Sequence, residues 1–222
     1  NRAAFCGPDD WEFPVELYQG QPMFFPGPDA ILQTYLGDYE NLAKKNDPFW
    51  GGDGYKSGEY SKIFRANVVL QSLDNIEGTG EDKARLKAEA HFIRAYSHWN
   101  LVNTYALPYT AANASEPGVP LKKSTSFEEA AARATIEETY RFIESDLQEA
   151  LKCSTALVQN GQNKHWRANT AAINGFAARY YLNRNRYEQA LKYAENVLKE
   201  YDVLVDYNSE MNKDVFEQGV YL

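Results

Sequence analysis

Between Glu59 and Tyr201 apolar residues recur at helical spacing, and polar or proline-rich breaks cut this stretch into five predicted helices. The first, Glu59 to Asn75, places Ile63, Ala66, Asn67, Leu70 and Leu73 on one face. The acidic turn EGTGED ends it, and Asp82 is the predicted N-cap of a second helix reaching Tyr105. That helix carries Leu86, Ala90, Ile93, Ser97 and Leu101 on one stripe and Phe92, Tyr96, Trp99 and Val102 on another, which predicts burial nearly all round. A loop from Leu107 to Phe127, with Pro108, Pro117 and Pro120, separates it from a third helix at Thr135 to Leu151. There Ile136, Tyr140, Ile143, Leu147, Ala150 and Leu151 point inward. A loop rich in Gln and Asn precedes a helical pair, Asn169 to Asn183 and Tyr187 to Tyr201. Ala178, Tyr181, Ala190 and Ala194 fall at the offsets where tetratricopeptide hairpins place small and aromatic residues, so that two helices approach closely.

The flanks read differently. Residues 1–58 are loop-rich, because six prolines interrupt them, with one helix predicted after Pro28-Asp29 from Ile31, Leu32, Tyr35, Leu36 and Tyr39. Asn46 to Gly58, NDPFWGGDGYKSG, reads as a turn-rich aromatic loop. Residues 206–222 show no strong period, and the chain is expected to continue beyond them. The predicted class is all-α, a single domain of tetratricopeptide-like hairpins over 59–204, with long aromatic and proline-rich loops.

Charge narrows the partners. With 23 basic against 31 acidic residues the formal net charge is −8, a field that repels nucleic acid. No apolar run approaches the roughly 20 residues that span a bilayer. Cys6 and Cys153 fit no metal spacing. The aromatic share, 14%, exceeds what a helical core needs, and much of it lies in Gly- and Pro-rich stretches.

Those rings carry the binding chemistry the sequence offers. Trp50, Tyr55 and Phe49 sit among glycines that let a ligand approach the backbone, and flat rings stack against the weakly polar faces of sugars. Asp53, Lys56 and Asn46 are placed to bond hydroxyls, and Trp11 and Tyr18 are further candidates of the same type. The competing reading has Trp50 capping the core beneath the first hairpin. Catalytic residues and cofactors are not expected. Glu89 and Arg94, inside the long helix, read as a structural pair that pins neighbouring helices, and Asp146 and Arg179 are assigned the same role. His91 and His98 are seven residues apart, without a third ligand, which argues against zinc. Asp74, Glu77, Glu81 and Asp82 fail the calcium-loop order, and Gly51 to Gly54 lacks the lysine of a phosphate loop.

Several segments, in order, resemble the SusD/RagB family of outer-membrane glycan-binding lipoproteins. Tyr60 to Leu70 is similar to its Y-x-x-I-x-x-A-N-x-x-L helix, and Ala88-Glu89-Ala90-His91-Phe92-Ile93-Arg94-Ala95-Tyr96 to its EA-x-F-[LI]-RA-Y signature. Gly118-Val119-Pro120-Leu121 matches a GVPL turn, Tyr140 to Ala150 a Y-x-x-I-x-x-DL-x-x-A helix, and Arg167 to Leu182 with Tyr187, Ala190 and Ala194 the closing pair. The Asp9-Asp10 pair echoes an early element. Ala106 and Trp166 stand where the family usually has Gly, and its first helix and long C-terminal half have no counterpart in these 222 residues. The resemblance implies four tetratricopeptide-like hairpins and an N-terminal lipid anchor in the outer membrane. It also implies capture of oligosaccharide or polysaccharide for a SusC-like TonB-dependent transporter, without bond cleavage. The rival classes are a helical-repeat module that docks a protein, and a glycosidase, which needs two carboxylates roughly 5 to 10 Å apart in a cleft.

Overall fold

The computed structural model describes residues 58–126, 128–129 and 131–204. The fold is all-α and tetratricopeptide-like, as the hydrophobic period predicts. In chain order it comprises α1 (Glu59–Ser72) with a 3-10 turn at Leu73–Asn75, α2 (Gly80–Tyr105), α3 (Ile136–Ala150), a two-residue-strand hairpin (β1 Val158–Gln159, β2 Gln162–Asn163), α4 (Thr170–Asn183) and α5 (Tyr187–Glu200). Two compact units divide the chain, Asn1–Cys153 and Ser154–Leu222. The helix expected after Pro28 and the segment 206–222 lie outside the described residues.

In the first unit α2 packs against both α1 and α3. Its start corrects one expectation: the N-cap is Thr79, three residues before Asp82. The Thr79 hydroxyl accepts from the Asp82 N–H (3.0 Å) and donates to the Asp82 carboxylate (2.8 Å). T-x-x-D thus acts like a capping box, with Asp82 its acidic member. A second correction concerns the two stripes. Ala88, Ala90, Ala95, Ser97, His98, Leu101 and Val102 are buried, but Ile93 is 40% and Tyr96 38% exposed. The two neighbouring helices cover one broad arc of α2, and on the remaining face Ile93 and Tyr96 are exposed while Phe92 and Trp99 are half-buried. Along it Phe92 stacks on Tyr96 (5.9 Å between centroids, 25°) and Tyr96 on Trp99 (6.1 Å, 27°).

Helix α3 has a complete capping box from Thr135 and Glu138, and buries Ile136, Thr139, Tyr140, Ile143, Asp146, Leu147 and Ala150. Gly118 packs on its first turn: a Cβ there would collide with the Thr139 hydroxyl and come within 2.7 Å of the Thr135 carbonyl oxygen. The GVPL segment is therefore a close approach of loop backbone to helix, which only glycine permits.

In the second unit the Gln/Asn-rich loop contains the short hairpin, turned by Asn160 (φ 54°) and Gly161 (φ 74°). Positive φ at both central residues is the geometry of a type I′ turn, for which Asn-Gly is the preferred pair. Helix α4 is capped by Asn169, whose side chain accepts from the Ala172 N–H at 2.9 Å. It ends at Asn185, which takes a left-handed conformation (φ 56°), and α5 folds back on it. Tyr181 and Ala190 are buried between the two helices, Ala178 and Ala194 are half-buried, and Tyr181 stacks on Tyr193 at 5.5 Å.

Candidate functional site

The first unit is organised around one buried charge cluster. Arg94 donates from Nε and Nη2 to the two carboxylate oxygens of Asp146, both at 2.7 Å, and from Nη1 to Asn67 Oδ1 at 2.7 Å. His91 Nδ1 lies 2.8 Å from Asp146 Oδ1. Asn67 Nδ2 donates onward to the carbonyls of Lys122 (3.2 Å) and Ser124 (2.8 Å). One guanidinium thereby joins α1, α2, α3 and the loop ahead of α3. Burial pushes the Asp146 carboxyl up, but the hydrogen bonds from Arg94 and His91 and the Arg94 charge outweigh it and hold the group below its ordinary value. A carboxylate so engaged holds position; its lone pairs are not offered to a substrate proton.

Beside the cluster His98 is completely buried, with Nδ1 2.8 Å from the Arg94 carbonyl oxygen. A carbonyl only accepts, so Nδ1 carries the proton and Nε2 is left as a lone pair without a partner. Burial pulls this imidazole down to about 4. Tyr60 and Phe142 meet the ring edge-on, at 6.4 and 5.1 Å. Phe142 is itself flanked by Arg94 (5.2 Å) and Lys123 (5.3 Å).

The loop leading to α3 is held by side chains reaching its backbone. Arg133 donates to the carbonyls of Gly118 (2.6 Å), Tyr105 (2.8 Å) and Pro117 (3.0 Å). The Glu129 carboxylate accepts from the N–H groups of Lys123 and Ser124, and Lys122 Nζ donates to the Glu129 carbonyl. The Tyr60 hydroxyl donates to the Pro120 carbonyl at 2.8 Å, which fixes the loop to the first turn of α1.

Trp50, Tyr55, Phe49, Asp53, Asn46, Trp11 and Tyr18 all lie outside the described residues, and so does Cys6. The four structural candidates are spread out. Arg94 and Asp146 meet each other, but Glu89 pairs with Arg85 (3.0 Å) instead of Arg94, and Arg179 is exposed on α4 in the second unit. Burial raises the Glu89 carboxyl, with Arg85 opposing. Sequence spacing did not identify Asn67 as the tie to the loop, since its partners lie 55 and 57 residues away. It also read Phe92, Tyr96, Trp99 and Val102 as one buried stripe, of which Val102 is buried, Phe92 and Trp99 are half-buried and Tyr96 is exposed. Among the described residues no group of three metal-ligating side chains occurs, and no helix is long and apolar enough to cross a membrane.

The model of a SusD-like family, described as starch-binding and associating with the outer membrane, matches residues 34–182. No curated protein matches the chain in sequence. Among solved structures, a candidate sugar-binding protein from Bacteroides vulgatus is similar at 30% identity and a TM-score of 0.55, over 64% of this chain and 32% of its own. A SusD superfamily protein from Bacteroides fragilis aligns at 26% identity and a TM-score of 0.58, covering 76% of this chain and 38% of its own. A laminarin-binding SusD-like protein shares the fold at 23% identity and a TM-score of 0.53, over 68% of this chain and 29% of its own. The chain thus spans about a third of the length of these proteins. With the signature helix, the GVPL turn and all but the last residue of α4 inside the matched span, the chain belongs to the SusD-like family.

Proposed function

We propose that the protein captures oligosaccharide at the cell surface and passes it to a SusC-like TonB-dependent transporter without cleaving it. The observation that carries this reading is the match of residues 34–182 to a family described as starch-binding and outer-membrane-associated. A lipid anchor on an N-terminal segment outside this chain would hold it there. Trp50, with Phe49 and Tyr55, supplies the stacking surface, and Asp53 and Asn46 bond hydroxyls; Trp11 and Tyr18 are further candidates of the same type. Aromatic stacking suits this task because every sugar ring offers an apolar C–H face, whereas hydroxyl bonds select among sugars.

The test is calorimetry with maltohexaose and laminarihexaose, probes suggested by the family description and by the laminarin-binding relative. Trp50→Ala should weaken the tighter-binding glucan by about tenfold or more, the worth of one well-stacked ring. Unchanged affinity in that variant would remove Trp50 from the site. Reducing sugar released during the titration would overturn the non-catalytic reading.

A further inference from the structure

The second unit displays one ring that the first fixes no role for. Trp166 is 78% exposed, and it stands where the family usually has Gly. Exposure alone is common; a fully exposed indole held on a rigid turn is not. Trp166 occupies the third position of a turn closed by the Arg167 N–H to the Lys164 carbonyl (3.0 Å). Asn169, buried to 1%, clamps that turn by donating Nδ2 to the carbonyls of Lys164 (3.2 Å) and Arg167 (2.8 Å) while its Oδ1 caps α4. The Lys164 N–H reaches the Leu157 carbonyl at 2.9 Å, and the Thr170 N–H reaches Thr155 at 2.8 Å, so both ends of the loop are tied. A ligand meeting this ring orders nothing new in the backbone, which removes the usual entropic cost of a loop site.

The surroundings of the ring specify charge. The loop from Ser154 to Asn169 contains Lys164 and Arg167 and no Asp or Glu, in a protein of net charge −8. Lys164 Nζ lies 6.0 Å from the Trp166 ring centroid and donates to Gln162 Oε1 at 2.7 Å. That partner is neutral, and among the described residues no carboxylate pairs with Lys164. Glu200, the acid that folds onto this loop, is occupied by the Leu157 N–H (2.6 Å) and the Thr170 hydroxyl. The exposed amides of Asn160 and Asn163 lie on the same hairpin.

We propose that Trp166 and Lys164 form a second carbohydrate subsite, selective for acidic sugars: the pyranose stacks on the indole and its carboxylate or sulfate reaches the Lys164 ammonium. This rests on the glycan-binding reading above and deepens it by naming a substrate class. A neutral platform would need only the ring; beside this one stands Lys164, bonded to a neutral amide, and the hairpin before it exposes Asn160 and Asn163 with a single aliphatic side chain, Val158.

The experiment titrates the full chain with tetragalacturonate (carboxylate), a sulfated carrageenan tetrasaccharide (sulfate) and β-1,4-galactotetraose (neutral), at low and high salt. Trp166→Ala should weaken at least one acidic probe by about tenfold, a stacking contribution near 1.4 kcal/mol. Lys164→Gln should weaken that same probe, flatten its salt dependence and leave galactotetraose unchanged. Melting curves of both variants should match the parent, since neither side chain is buried. Acidic probes that bind Trp166→Ala as they bind the parent would overturn the subsite. Equal losses for neutral and acidic probes with no effect of Lys164→Gln would overturn the acidic selectivity. Intact glycan binding with lost association to a TonB-dependent transporter would make the ring a protein contact and overturn it as well. If glucans bind through Trp50 while Trp166→Ala is silent, only this inference fails; if no glycan binds the parent, the glycan-binding reading fails with it.

Discussion

The two units solve the same packing problem with different chemistry. In the first, three helices meet around a buried guanidinium whose five donors leave little freedom in the angle or register of its neighbours. In the second, α4 and α5 meet through small residues and rings, with Ala177 and Ala190 buried and Tyr181 stacked on Tyr193, and with no buried ion pair among the described residues. Its outer side keeps Leu182, Tyr187, Leu191 and Leu198 exposed. A charge cluster is directional and fails abruptly when one member goes; a ring-and-alanine seam is tolerant and loses stability by degrees. The first arrangement suits a base that must present a segment in one geometry. The second suits a scaffold whose distinctive features are carried by the turn in front of it.

The largest effect that would break this contrast is at Arg94. Arg94→Met should cost about 3 to 5 kcal/mol in urea unfolding, because it leaves the buried Asp146 carboxylate with His91 alone and takes the donor away from Asn67 Oδ1. Combining it with Asp146→Leu should restore much of the loss, since removing both charges also removes the desolvation penalty. If the single variant costs no more than an ordinary surface change, the cluster does not organise the first unit.

Acid should act on the first unit in two steps. His98 is held at about 4 in the folded protein against 6.5 when exposed, so between these values the unfolded chain binds a proton that the folded one refuses. Stability is therefore fully present above pH 6.5 and falls as pH drops toward 4, by about 3 kcal/mol from this residue. Asp146, whose carboxyl is lowered in the fold, contributes a further loss only below its ordinary 3.8. Urea midpoints measured from pH 7 to 4 should fall in the parent, and the fall should shrink in His98→Phe. An unchanged slope in that variant would show that the lone pair on Nε2 is solvated.

These residues also mark how far the sequence could be read. The spacing of Ile136, Tyr140, Ile143, Leu147 and Ala150 predicts a buried face, and all five are buried, because α3 packs along one side only and its stripe matches its groove. The same logic overreached on α2 at Ile93 and Tyr96, which have the spacing of core positions and are exposed, while Phe92 and Trp99 are half-buried. Arg94 and Asp146 were each legible as buried charges, yet their pairing spans 52 residues, and only the packing of α2 on α3 decides which partner Arg94 takes. The glycine of GVPL, the Asn160-Gly161 turn and the Thr135 cap rest on a few adjacent residues but were not read from the sequence, and the one cap that was, Asp82, lies three residues past the true cap at Thr79. Trp166 was visible only as a departure from the family pattern; its exposure depends on the Asn169 clamp, whose three bonds no residue spacing encodes.

The smallest expected effect sharpens the comparison at the helix starts. Thr135 caps α3 at an exposed site: its hydroxyl accepts from the Glu138 N–H (3.1 Å) and donates to Glu138 Oε2 (2.9 Å), while its own N–H donates to that oxygen at 2.8 Å. These bonds, the backbone one first, hold the Glu138 carboxyl below its ordinary value. Thr135→Ala removes the hydroxyl but keeps the N–H, so it should cost about 1 kcal/mol in denaturant and let the Glu138 carboxyl rise only part of the way back. Asn169→Ala at the corresponding position of α4 should cost more, because it uncaps the helix and also strands the Lys164 and Arg167 carbonyls at a buried site. Equal costs for the two caps, measured side by side in urea, would mean that the turn carrying Trp166 is no more firmly held than an ordinary helix end.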